Sequence, residues 1–272
     1  MMPRQSVLGV LLLAILPAAR ADDVSLQPLR ATVRVSDGKR SGTGFVVALP
    51  QEDGSEAAHL LVTAAHVFTN NKGPECTVMF RAAGGPAGFE RRELKLTVRN
   101  GETALWERHP TADVAVIEVT PPADADLQPF TLDQLADRGR IEAGGVAAGQ
   151  RIWVACFPAQ LESNRAGWPI LRHGTIASHP LFPVDATPTI FLDYSHFGGD
   201  SGAAAVADVG GRPVVVGVVV SMQRQTDRVT SPFEERTIHT PLDLAIAVQA
   251  ALVRDTIAAW RKNHAVQETT AR

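Results

Sequence analysis

Between Ala31 and His239 the chain is divided into short valine-rich runs, each closed by a cluster of glycine, proline or small polar residues. β-Branched side chains suit a pleated, half-buried surface, and glycine and proline punctuate the turns between strands. Short apolar runs on this spacing predict an all-β fold of barrels or sandwiches rather than a helical one. Aromatic residues make up only 6% of the chain, so its strand-forming character comes mainly from aliphatic residues.

In the first half the predicted strands cover residues 30–35, 42–49, 59–63, 76–81, 91–99 and 114–119. An acidic turn at 51–54 and a glycine-rich loop at 84–88 separate some of them. Residues 120–150 hold Pro121-Pro122, Pro129 and Gly144-Gly145 and read as a boundary. Strands resume at 151–156, 169–177, 189–193, 203–207, 213–221 and 236–239. The period then changes. Thr240, Pro241 and Asp243 resemble a helix start, and Leu242, Ile246, Ala250, Val253, Ile257 and Trp260 recur at spacings of three and four. The expected organisation is therefore an N-terminal unit over 22–125, a linker over 126–149, a second unit over 150–240, a C-terminal helix over 241–264 and a frayed tail over 265–272.

The first 21 residues read as an export signal. Arg4 opens a basic start, Val7 to Leu16 form an apolar core, and Ala19-Arg20-Ala21 offers a small-x-small cleavage site. That core is short for a bilayer span, so the expectation is a secreted or periplasmic protein with no membrane attachment once the signal is removed. Removing Arg4 and Arg20 from the 26 basic residues leaves 24 against 29 acidic ones, a formal charge of −5. No long Lys/Arg cluster is present, which argues against a nucleic-acid partner. Cys76 and Cys156 are the two cysteines. An exported chain could pair them, while Cys156 sits in an apolar run where buried free thiols are common. The sequence holds no His-Glu-x-x-His, paired Cys-x-x-Cys or phosphate-loop run, so no metal or cofactor is expected.

The chemistry concentrates at three places. Ser201 lies in Gly198-Gly199-Asp200-Ser201-Gly202, where flanking glycines keep side chains away from the hydroxyl and free backbone N–H groups for a developing oxyanion. His66 follows the apolar run Leu61-Val62-Thr63-Ala64-Ala65, and Asp113 heads the buried run Val114-Ala115-Val116-Ile117. Together they supply a nucleophile, a base and an orienting acid. With Gly42-Thr43-Gly44-Phe45, Thr63-Ala64-Ala65-His66, Asp113-Val114-Ala115 and Gly199-Asp200-Ser201-Gly202 in this order, the chain resembles the trypsin-like (chymotrypsin-fold) serine peptidases, in their simpler bacterial-type branch. The intervals of 47 residues from His66 to Asp113 and 88 from Asp113 to Ser201 suit that family.

The resemblance implies two antiparallel six-stranded β-barrels with the active site between them. It also implies a protein or peptide substrate, a His66–Asp113–Ser201 triad and an oxyanion hole from the backbone N–H groups of Gly199 and Ser201. Ser195 stands six residues before the nucleophile, where trypsin places its pocket aspartate, so no counter-charge for Arg or Lys is evident. His196 and His239 are candidates for accepting an acidic side chain, and Ser221 and Met222 for the strand that pairs with substrate backbone. Two features depart from the family pattern. Ala203 replaces the usual second glycine, and no Ile/Val-Val/Ile-Gly-Gly start near Ala31 is available to pair with Asp200 after zymogen cleavage. A catalytically silent trypsin-like domain with a binding or regulatory role is the alternative. An esterase of the α/β-hydrolase type is disfavoured, because strand rather than helix signals follow Ser201.

Overall fold

The computed structural model describes residues 22–50, 58–85, 88–231 and 233–270. The export signal expected over 1–21 lies outside the described residues. The first described element is helix α1 (Asp22–Ala31), where the sequence predicts only a strand from residue 30. Its C-terminal carbonyls have no helical partners, and a buried arginine supplies them. Arg81 donates to the carbonyls of Leu29, Arg30 and Thr32 and lies 4.7 Å from the Trp168 ring; burial lowers its pKa to about 10, against the nearby Asp126 and Glu162 carboxylates, which raise it.

The first unit is one sheet built around β1 (Thr32–Ser36), β2 (Ser41–Leu49), β3 (Ala58–Thr63), β4 (Glu75–Ala83) and β5 (Phe89–Thr97). A small hairpin, β6 (Arg99–Asn100) and β7 (Thr103–Ala104), stands apart. β8 (Glu107–Arg108) and β9 (Ala115–Glu118) complete the sheet in the order β5-β4-β1-β2-β3-β9-β8. β2 is apolar at nearly every position because both its faces are covered. Phe45, Val47 and Leu49 join the larger core shared with the second unit, whereas Val46 joins Val33, Leu61 and Phe68 in a separate core.

The expected linker is partly structured: β10 (Phe130–Thr131) pairs in parallel with β2, and α3 (Arg138–Glu142) is capped by the Asp137 side chain. The second unit contains β11 (Arg151–Cys156), β12 (Ile170–Ile176), β13 (Thr189–Asp193), β14 (Ala204–Val209), β15 (Arg212–Ser231) and β16 (Glu234–Gln249). These close into a six-stranded barrel in the order β11-β12-β13-β16-β15-β14. Closure is therefore found in the second unit, while the expected first barrel is a sheet whose ends are β5 and β8.

The C-terminal helix is corrected more substantially. Thr240 to Gln249 is strand, and α4 (Ala250–Thr270) begins nine residues after the predicted Pro241. Leu242, Ile246 and Ala250 are four residues apart, a spacing that a strand of period two satisfies as well as a helix does. The barrel decides between them: β16 pairs with both β13 and β15, and the small side chains of Ala245 and Ala247 are fully buried there. Asp243, at φ 55°, absorbs the irregular register opposite Gln223 and Arg224. α4 packs against β15 and also against β8 and β9, so it spans both units rather than the second alone.

Candidate active site

His66 sits in the first turn of α2 (Ala65–Asn70), directly after β3. The cap residue Ala64 has no side chain able to take the unpaired first-turn N–H groups. Asp113 takes one of them: Asp113 Oδ1 accepts from the His66 backbone N–H at 2.9 Å, and Oδ2 lies 2.6 Å from His66 Nδ1. One carboxylate thus caps the helix and orients the ring. Burial would raise the Asp113 pKa, but the hydrogen bond from the His66 ring and further contributions outweigh it, and the carboxyl is held below its ordinary value. The ionised carboxylate only accepts, so Nδ1 carries the proton and the Nε2 lone pair of the neutral ring is available as a base.

Asp113 is itself presented by a pinned turn. The His109 ring, on which the sequence reading placed no role, is buried, and its Nδ1 accepts from the backbone N–H of Ala112 at 3.0 Å and of Thr111 at 3.3 Å. The His109 backbone N–H in turn donates to the Val114 carbonyl at 3.0 Å. A histidine four residues before an aspartate gives little sequence signal for such a role.

Ser201 lines the same cleft as His66, a cavity of about 210 Å³ that also touches Gly42, Val67, Gly198 and Gly199. Its hydroxyl donates to the Val220 carbonyl at 3.4 Å, and among the described residues no hydrogen bond joins it to His66. Gly199 (φ 103°) and Gly202 (φ 93°) fix the loop. A Cβ on Gly199 would meet the Phe157 carbonyl oxygen at 2.2 Å, and one on Gly202 the Thr43 carbonyl oxygen at 1.9 Å. Ala203 is accommodated: it is fully buried, with its N–H on the Asp200 carbonyl and its carbonyl on the Val219 N–H. Among the described residues, neither the Gly199 nor the Ser201 N–H is engaged by another backbone carbonyl.

Asp200 is fully buried and held from inside the barrel. Its Oδ2 accepts from the Tyr194 hydroxyl at 2.7 Å, the Phe197 N–H at 2.9 Å and Arg172 at 3.4 Å. Arg172 lies 4.5 Å from the Tyr194 ring and 5.2 Å from the Phe197 ring. Burial, with Cys156 and Asp200 close by, pushes the Tyr194 phenol well up and keeps it a donor. Tyr194 is the chain's single tyrosine, which was the one sequence signal available for this role. Cys76 and Cys156 are both buried free thiols, and Cys156 contacts the Tyr194 hydroxyl at 3.2 Å.

Matching residues 42–218, the model for the trypsin-like peptidase domain covers most of this architecture, from the start of β2 to the middle of β15. The chain belongs to this family. No curated protein matches it.

Thr43, within the family's Gly-Thr-Gly segment, has a part that the sequence did not disclose. Its N–H donates to the Ser201 carbonyl at 2.8 Å and its hydroxyl to the Gly199 carbonyl at 2.7 Å, so the first unit grips the loop of the second. Around that loop, Ser195 is half-buried, and His196 is buried with both ring nitrogens unpartnered; burial lowers its pKa. Ser221 and Met222 follow Val220 on β15. His239 is elsewhere: it bonds Thr226 at 2.9 Å on the exposed part of the β15–β16 ribbon.

Proposed function

We propose that this protein is a serine endopeptidase that cleaves peptide bonds through an acyl-enzyme. The observation that carries the reading is the 2.6 Å contact between His66 Nδ1 and Asp113 Oδ2 in a cleft that Ser201 also lines. Ser201 Oγ leaves the Val220 carbonyl, gives its proton to His66 Nε2 and attacks the scissile carbonyl. His66 then returns the proton to the departing amine, and water repeats the sequence to release the acid. The Gly199 and Ser201 N–H groups receive the oxyanion at each tetrahedral stage. Because Tyr194, Arg172 and the Phe197 N–H hold Asp200 from within, the nucleophile loop needs no newly released N-terminus. The chain works outside the cytoplasm after removal of residues 1–21. Among the described residues no helix is long and apolar enough to cross a membrane. Ser195 and His196 border the residue before the cut, and Ser221 and Met222 pair with its backbone.

A fluorophosphonate probe tests this reading. It labels Ser201 in the native protein, does not label Ser201→Ala, and labels Asp113→Asn far more slowly. A protein that stays unlabelled while fully folded is a silent trypsin-like domain instead. That alternative is favoured by the Ser201 hydroxyl resting on Val220 rather than on His66.

A further inference from the structure

The longest strand among the described residues is only half used. β14 pairs with β15 over Arg212 to Val218, and β16 covers the other edge of β15 from Gly217 to Ser231. Val219 still bonds Gly202 and Ala203 on the first edge, and among the described residues no strand pairs with that edge from Val220 to Ser231. From Gln223 outward every described residue of this strand is exposed. Proteins usually blunt such an edge with a proline, a bulge or a covering element, because unpaired N–H and C=O groups are a template for another strand. β15 has none of these over Arg224 to Ser231: the irregular register there is taken up by Asp243 on β16.

This open edge begins at the nucleophile. The Ser201 hydroxyl rests on the Val220 carbonyl, and Ser221 and Met222 follow immediately. The nine residues from Gln223 to Ser231 then run away from the cleft for about 30 Å at roughly 3.3 Å per residue. The surface is close to electrically neutral, with Arg224, Arg228 and Arg236 balanced by Asp227, Glu234 and Glu235. Two of these arginines are engaged within the ribbon, Arg228 with Glu235 at 3.0 Å and Arg236 with Glu234 at 2.9 Å. Little net charge is left to select a partner, so the main chain is the recognition element.

Resting on the peptidase reading above, we infer that the β15 edge binds an extended, unfolded stretch of the substrate, lying upstream of the cut, as an added antiparallel strand well beyond Met222. The preferred substrate is thus an unfolded polypeptide with a long segment before the cleaved bond. Each further pair of residues contributes backbone hydrogen bonds offset by the cost of ordering them, which leaves a gain of about threefold per pair.

Cut sites mapped in reduced and carboxymethylated serum albumin provide the sequence for fluorogenic peptides carrying three, five, seven or nine residues before the cut. The expected result is a stepwise fall in KM with length at constant kcat. N-methylation of alternate upstream amides should abolish the gain, and methylation of the intervening ones should leave it, because only every second N–H of an added strand faces its neighbour. Replacing residues 226–239 by Asn-Gly closes a short hairpin between the paired Gln225 and Thr240. This variant should cleave the shortest peptide normally and lose the length effect. Equal kcat/KM for all lengths, or the same gain in the shortened variant, overturns the edge assignment alone. If the shortened variant does not fold, the N-methyl series decides. Failure to cleave any peptide removes the peptidase reading, and the edge assignment with it.

Discussion

Replacing His109 tests whether the turn beneath Asp113 is held by a neutral imidazole. In His109→Ala the Thr111 N–H faces solvent and can find water, but the Ala112 N–H is buried and loses its acceptor. An unsatisfied buried donor costs about 1–3 kcal/mol. Loss of the buried ring's packing adds on the order of 1 kcal/mol. The sum, about 2–4 kcal/mol, lowers Tm by roughly 5–15 °C for a chain of this size. His109→Asn should recover much of this, since an Asn oxygen can accept from N–H groups two and three residues on. The pH dependence has a definite sign. Burial lowers the His109 pKa, against Asp255, which raises it, and together with Arg138, which lowers it further. The unfolded chain therefore binds the proton more readily, and the stability from neutral His109 is complete above the unfolded value of about 6.5 and is lost as pH falls below it. Thermal melts of wild type, His109→Ala and His109→Asn at pH 7.5 and pH 5.0 check this. Wild type should lose more Tm than His109→Asn between the two pH values. An equal loss, or a His109→Ala protein as stable as wild type at pH 7.5, would refute the reasoning.

Three other perturbations are informative. Gly202→Ala combines a positive φ, about 1–2 kcal/mol, with overlap against the Thr43 carbonyl, for a total of at least roughly 3 kcal/mol, whereas Gly38→Ala, at φ 86° in open space, should cost only the backbone part; comparative denaturant melts measure both. Tyr194→Phe removes the 2.7 Å hydrogen bond to Asp200 and should cost about 1.5–3 kcal/mol while slowing fluorophosphonate labelling of Ser201; unchanged labelling would separate Asp200 from the shape of the loop. Burial raises the Cys76 pKa to about 12 and the Cys156 pKa further, so iodoacetamide at pH 8 should modify neither thiol in the native protein and both in urea, as mass spectrometry would report.

The strand pattern and the three candidate side chains of the site were legible because each depends on local chemistry. Short valine runs between turn residues mark strands wherever they pair, and Asp113, His66 and Ser201 each sit in a distinctive run. What failed to show were properties set by distant partners. Leu242, Ile246 and Ala250 suit two periods at once, and only pairing with β13 and β15 makes Thr240 to Gln249 a strand. Whether the first sheet closes is likewise a matter of edges meeting, which no single segment encodes. The supports of the site were hidden for the same reason. Thr43, His109, Tyr194 and Arg172 act through hydrogen bonds to residues between 2 and 158 positions away, the latter being the separation of Thr43 from Ser201 (201 − 43). No short motif announces such pairs.

The grip of Thr43 on Gly199 and Ser201 makes the Ser201 loop a sensor of how the halves are assembled. A cut within residues 126–149 need not silence the molecule while the halves remain joined, whereas prising them apart by an ångström or two at Thr43 would slacken the loop with every covalent bond intact. Loss of Ser201 reactivity should then precede loss of β-structure as the protein is gently destabilised.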